Sequence, residues 1–437
     1  VPSCGGTAAA PKKLFDRPGS SCRPRNREPL YFKTIDDLNS IRRITCPILY
    51  TGPHNAFNGN LDNLYANWKE MPSKSIHYSI SPHLNHRHIS ESEFAGRHFF
   101  DVILKGEGSF PETPKIHVSL KTEDGIPQAT LQPVNPDEVV KADIYYSVDP
   151  HSLTRFWRTA KVIRSGKTWS AMCPVISTDM PLFVMANVYY PLKKKIIGPR
   201  WRKFSPSTFM VSSEGLDFSP QDLKAADVKA TDTTERLIEA NFDSWQDWYR
   251  LAVGNNHHRQ CITRKIKDPK WRGPDGAKLA IDVIDPNGGE FAVTFEMNSW
   301  GAYAGMKSGR YYASKTIAKS DDWQTLEIGM EDLVPMDERS PKGLRSWQYM
   351  TECGIVAMAR TRQNGKPVVL AGASWPKERK LSNLRWVGGE YPKTFIMPGK
   401  RITPEELHRT FHKEIDKSAE QEKRDSKNAA QGSKKTK

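Results

Sequence analysis

The stretch ITCPILYTGPHNAFNGNLDNLYANWKEMPSKSIHYSISPHLNHRH, residues 44–88, constrains the fold more than any other part of the chain. Ile44–Tyr50 is a short apolar run closed by Thr51-Gly52-Pro53, the pattern of a buried parallel strand. Leu61, Leu64, Tyr65 and Trp68 then recur at i, i+3, i+4 and i+7, one apolar stripe on a helix. Ile76, Tyr78 and Ile80 alternate as a strand does, and Pro82 ends it. Strand, helix and strand in this order predict an open α/β sheet, with ligands held beyond the carboxyl ends of the strands. The loops at those ends are 52–60 and 82–90. Glu91–Lys105 reads as a further helix, with Phe94, Phe99, Val102 and Ile103 facing inward.

The second loop carries His83, His86 and His88 in PHLNHRH. Imidazole titrates near neutrality, so a histidine on such a loop can take a nucleophile's proton and return it to a leaving group. Three histidines so close can also ligate a metal, but no acid lies within the same turn, and neither a metal nor a cofactor is expected.

This segment resembles the last third of an α/β-hydrolase of the esterase, dienelactone-hydrolase or prolyl-oligopeptidase kind. The resemblance covers roughly residues 1–105. It implies that His86 is the base of a catalytic triad and that an acid stands about thirty residues before it. Ala56 occupies that place, and alanine cannot orient an imidazole. Either Asp62, at the start of the helix, takes the role, or the site is impaired. His54 and Asn55 are implied as pocket-lining residues. The family's G-x-S-x-G elbow is absent, and VPSCGG at residues 1–6 keeps only its S-x-G half, without a strand before Ser3. The resemblance therefore implies an amino-terminal truncation that omits the nucleophile.

Gly106–Pro114 is a Gly- and Pro-rich linker, after which the pattern changes. KIHVSLKT, ADIYYSVD, TRFWRTAKVI, TWSAMCPV and PLFVMANVYYP recur at intervals of about ten residues, which predicts an immunoglobulin- or fibronectin-like sandwich over 115–206. Residues 212–231 read as a polar, acidic linker or edge segment. KLAIDVID, EFAVTFEMN, DWQTLEIGM, CGIVAMAR and KLSNLRWVGG predict a second sandwich over 235–392. By its strand order and aromatic placement this region resembles the galactose-binding-like, jelly-roll carbohydrate-binding modules of secreted polysaccharide enzymes. In NSWGAYAGMKSGRYY, Trp300, Tyr303, Tyr311 and Tyr312 stand among glycines, and Trp300 and Tyr303 are the candidate platform for stacking on sugar rings. Trp323 and Trp386 are expected in the core, and Asn255–His258 is a polar loop without a role. The tail, 397–437, predicts one short helix capped at Thr403-Pro404, followed by a charged segment without apolar anchors.

A chain of 437 residues exceeds one core, and its hydrophobic content of 37% with 12 Trp supports several. No apolar run reaches the length of a membrane span. The 6 cysteines are scattered and form no C-x-x-C pair, so no zinc site is expected and one or two disulfides remain open. The net charge of +15 admits polyanion binding, but a solvated basic surface is the preferred account of it, and nucleic acid is not an expected partner.

The sequence expectation is a multidomain chain: part of a doubly wound α/β-hydrolase sheet plus two all-β sandwiches. Function follows from the resemblances: a fragment of a secreted, extracellular or periplasmic serine-type hydrolase acting on carboxylic esters, including acyl groups on polysaccharide. The alternatives are a non-enzymatic glycan-binding protein built on a degenerate hydrolase segment, and a prolyl-oligopeptidase-like peptidase.

Overall fold

The computed structural model describes residues 41–56, 61–84, 88–194, 206–241, 260–303, 306–344, 346–373, 378–392 and 395. His86, the VPSCGG segment, the 255–258 loop and the tail lie outside them. The chain divides into two compact units, Val1–Thr233 and Thr234–Lys437. Among the described residues no helix is long and apolar enough to cross a membrane.

The first unit opens with β1 (Ile48–Pro53), α1 (Leu61–Trp68), β2 (Ile76–Ser81) and α2 (Ser90–Lys105). Its strands continue as β3 (Lys115–Ser119), β4 (Gln128–Gln132), β5 (Lys141–Ser147), β6 (Arg158–Thr159), β7 (Ile163–Ser165) and β8 (Thr168–Met172). Next come β9 (Leu182–Pro191), β10 (Thr208–Ser212), β11 (Leu216–Phe218) and α3 (Pro220–Ala225). Residues 212–231, expected as a linker or edge segment, hold β11, which pairs with β9, and α3, opened by a Ser219–Asp222 capping box. β1 and β2 pair in parallel from Ile48↔Ile76 to Pro53↔Ser81. The apolar stripe of α1 is buried, with Leu61, Leu64, Tyr65 and Trp68 in one cluster beside Tyr50 and Tyr78. In α2, Phe94 and Phe99 point inward while Ile103 is exposed, and Gly106 in the left-handed conformation ends the helix.

Among the described residues the doubly wound sheet expected around these elements is not present. The sheet runs β1-β2-β10-β9-β5-β6, and beyond β2 the strands we describe pair antiparallel. It is a mixed sheet that carries the β1–β2 pair at one edge and strands of the 115–206 region in its middle. A second sheet, β3-β4-β8-β7, meets it where β3 approaches β9 and β8 approaches β5. Hydrophobic periodicity reads an element but not its neighbour, and a strand buried on both faces looks the same beside a parallel or an antiparallel partner.

The seam between β2 and β10 is held mainly by side chains. Only Ser212↔Tyr78 pairs along the ladder. Around it, Ile80 N donates to Ser212 Oγ (2.7 Å), Asn187 Nδ2 donates to Ile80 O (3.1 Å) and Ser79 Oγ donates to Met210 O (2.7 Å). Ser212 Oγ in turn donates to Asn187 Oδ1 (2.6 Å).

The second unit contains β12 (Leu237–Asn241), β13 (Gln260–Thr263), β14 (Lys278–Asp285), β15 (Gly289–Met297), β16 (Gly309–Ile317) and β17 (Ser320–Ile328). They are followed by β18 (Val334–Pro335), β19 (Met350–Val356), β20 (Met358–Gln363), β21 (Lys366–Gly372) and β22 (Lys380–Val387). One sheet is ordered β12-β22-β14-β17, the other β13-β19-β15-β16-β18, and β20–β21 form a hairpin. The β-sandwich reading of this region holds. Between the sheets Trp347 packs at a tilt against Phe295 and Trp386, at centroid distances of 5.2 and 4.9 Å. The indole N–H groups of Trp347 and Trp386 donate to Ala277 O (2.7 Å) and Trp271 O (2.8 Å), so neither polar group is buried unpaired. A Cβ at Gly273 would come within 2.6 Å of Trp347, which leaves glycine the residue that fits beside this pair.

Buried charge also fixes the second unit. Arg379 and Asp285 are both almost fully enclosed and pair at 2.7 Å, while Asp285 Oδ1 accepts from the N–H groups of Asn287 and Gly288. Removing one partner of such a pair strands the other charge. Asp285→Ala is expected to cost about 3–5 kcal/mol of stability, measured by denaturant unfolding of the whole chain.

Three imidazoles of the first unit share the opposite liability. Burial, aided by His83 and Arg155, holds His54 well below the usual histidine range, and burial likewise lowers His77 and His98. Below a pH of about 6.5 the unfolded chain takes up protons that these folded imidazoles resist. Their contribution is therefore complete above that pH and is lost as the solution is acidified. Thermal unfolding followed from pH 7.5 to 5 should show a falling midpoint. His54→Phe, an apolar replacement among Tyr145 and Trp157, should flatten the fall; an unchanged slope would contradict this account.

Candidate functional site

The five-stranded sheet of the second unit has one face turned into the core and one turned away. Phe291, Val293, Phe295 and Met297 of β15 are buried inward, so Ala292, Thr294 and Glu296 lie on the outer face. Register carries that assignment to the neighbours. Thr294 stands between Tyr312 of β16 and Gly354 of β19, and Glu296 between Arg310 and Glu352. Arg264, just beyond β13, extends the second row, with its Nη2 2.8 Å from Glu352 Oε2. A row Arg264–Glu352–Glu296–Arg310 thus crosses four strands beside a row of smaller groups. Gly354 keeps the middle of that second row low, since a Cβ there would sit 2.7 Å from Thr294 Oγ1.

Two walls flank these rows. On one side the β20–β21 hairpin covers the next row, with Ala359 and Ala371 packed on Ala292 and Val356 and with Tyr312 and Leu370 at the margin. Gly372 N fastens the hairpin to Glu290 Oε2 at 2.7 Å. On the other side lies the turn after β15. Asn298, Trp300 and Gly301 all take left-handed backbone, with φ of 50°, 56° and 65°. For tryptophan that conformation is strained, by about 1–3 kcal/mol, and persists only where its surroundings impose it.

Those surroundings are visible. Asn298 Nδ2 donates to Met306 O (2.8 Å) and its Oδ1 accepts from Tyr303 N (2.6 Å). Ser299 N donates to Thr351 Oγ1 (2.9 Å), and Arg264 Nη1 donates to Ser299 Oγ (3.1 Å). The turn is therefore tied to the charged row, and it presents Trp300 with 46% of its surface exposed. Trp300 offers an apolar plate on a turn that Ser299 joins to the charged row. That combination suits a ligand with flat C–H faces and many hydroxyls.

The four aromatics of the 299–312 segment separate accordingly. Trp300 is open, Tyr312 is half-buried on the outer face, and Tyr303 and Tyr311 are each 1% exposed. The Tyr303 hydroxyl donates to Gln348 O (3.5 Å) and that of Tyr311 to Pro341 O (2.7 Å), so both phenols belong to the core. Trp386 is buried as expected, but Trp323 is 52% exposed. Leu326 and Ile328 point inward from β17, so position 323, of the opposite parity, points out. Glu296, Glu352, Arg264 and Arg310 were missed; the alternation in EFAVTFEM already put Thr294 and Glu296 opposite Phe295.

The candidate residues of the first unit lie elsewhere and are enclosed. His54 is 1% exposed, packed against Trp157 (4.8 Å), Tyr145 (5.3 Å) and His83 (6.1 Å). Asn55 Nδ2 donates to Ser152 O (3.0 Å) and Arg155 O (2.7 Å), holding the 148–157 segment against β1. Asp62 grips the buried Arg155 guanidinium with both oxygens, at 2.7 and 2.9 Å. His86, the residue it was expected to serve, is outside the described residues. This unit also has a cleft of about 220 Å³ bordered by His98, Glu107, Glu138, Tyr190, Lys193 and Phe209. Its carboxylates are paired, Glu138 with Lys193 at 2.7 Å and Glu107 with Lys194 at 3.8 Å. Among the described residues no three potential metal ligands cluster.

No family model matches this chain, and no curated protein matches it. A solved structure described as the structural basis for the promiscuous specificity of the carbohydrate-binding modules from the beta-sandwich superfamily aligns with 64% of this chain and 100% of its own. Identity is 9% and the TM-score 0.15, too low a similarity to transfer a fold or a function.

Proposed function

We propose that the second unit binds glycan across the outer face of its five-stranded sheet, with Trp300 as the stacking residue. The observation that carries this reading is the Trp300 turn: an exposed indole held in left-handed backbone by buried hydrogen bonds. A sequence under pressure for stability alone would place glycine at that position. Rigid presentation lowers the ordering cost of binding, and the adjoining charged and hydroxyl groups can pair with sugar hydroxyls. The ester-hydrolase reading required a doubly wound sheet, and without that frame the glycan-binding alternative is the better supported.

Calorimetric titration of the whole chain with soluble polysaccharides tests the reading. Losing the buried indole area should weaken binding about 10- to 100-fold in Trp300→Ala, while the unfolding midpoint stays close to that of the parent. Tyr303→Ala should instead destabilise the unit, by about 3–5 kcal/mol, as loss of a buried aromatic does. Trp323→Ala, on the other sheet, should bind as the parent does. Undiminished binding by Trp300→Ala would overturn the proposal.

A further inference from the structure

We infer that the ligand of this face is an uncharged polysaccharide and that the face rejects polyanions, in spite of the chain's net charge of +15. The inference rests on the glycan reading above and specifies the chemistry of its ligand. The chain's charge suggests the opposite, an anionic ligand drawn to a basic protein. The local arrangement decides otherwise. Both guanidinium groups of the face are already engaged, Arg264 with Glu352 at 2.8 Å and Arg310 with Asp337 at 3.2 Å. Together with Glu296 this makes two cations and three carboxylates, an excess of one negative charge within the row and its direct partners.

Glu296 is the key member. It stands in register between Glu352 on one side and Arg310 on the other, half-buried at the centre of the row. Its carboxylate makes no hydrogen bond or ion pair among the described residues. Two acids directly opposite each other across a strand pair repel, so this arrangement costs stability. A carboxylate kept there, acceptor-only and ready to receive donors, fits the hydroxyls of a neutral sugar. A sulfate or carboxylate on the ligand would meet the Glu296 carboxylate at short range, while the arginines, each paired with a carboxylate, offer no unspent charge to offset the encounter.

The test compares two forms of one backbone, so that only charge differs. The whole chain is titrated with unmodified and carboxymethylated glucan, and with unsulfated and sulfated galactan, at low and at raised ionic strength. The unmodified form of at least one pair should bind, and its charged form should bind about tenfold more weakly or worse at low salt. That gap should narrow as salt screens the repulsion, and it should narrow at low salt in Glu296→Gln. Equal or tighter binding of the charged form overturns this inference alone and leaves glycan binding standing. A gap indifferent to both salt and Glu296→Gln also overturns it, because steric exclusion would then be the cause. Failure of all four polymers to bind overturns the glycan reading itself, and this inference falls with it.

Discussion

The contact between Trp347 and Trp386 decides how the second unit presents itself. These two indoles fill the space between the sheets, and their N–H groups are satisfied by main-chain carbonyls of Ala277 and Trp271. Once they and Phe295 occupy the interior, the parity of β15 is fixed, because a slip by one residue would drive Glu296 into the core and expose Phe295. The whole charged row across β13, β19, β15 and β16 then follows from register. The outer face is in this sense a product of the inner one, and Gly273, which leaves room for both indoles, supports it from a distance.

Strain and charge are concentrated at the same end of the sheet. The left-handed turn at 298–301 and the close Glu296–Glu352 opposition are both unfavourable taken alone. The turn is held by the hydrogen bonds of Asn298 and Ser299, whereas the Glu296 carboxylate has no bond of its own among the described residues. Ser299, Thr351 and Arg264 link the turn to the row, so the aromatic plate and the polar groups form one rigid assembly rather than two adjacent features.

Much of the strand pattern was legible in the sequence. KLAIDVID is β14 residue for residue, and the alternation in EFAVTFEM gives both the strand and its inward set. What failed was information that no single segment contains. The ITCPILY and IHYSIS runs do form a parallel pair, yet nothing in them announces that β10 comes next and runs the other way. The partners that settle this, Ser212 and Asn187, lie more than a hundred residues downstream. Trp323 was misjudged because its aromatic character was weighed above its parity with Leu326 and Ile328. The outer-face acids went unnoticed because they become a row only after four strands are placed side by side. Asp62 reads in the sequence as the candidate triad acid, whereas its partner in the fold is Arg155, 93 residues away, which no local pattern points to.

The seam between β2 and β10 has a bearing on how the first unit comes apart. An ordinary antiparallel junction is a zipper of main-chain bonds that lengthens with each residue, whereas this one is a small knot of serine and asparagine side chains around a single bridged pair. Such a junction has no ladder to unzip residue by residue. β1, α1, β2 and α2 hold to the strands beyond the seam by a shared core and by Asn55 and Asp62, which bond to Ser152 and Arg155, so the seam opens only together with the core that spans it.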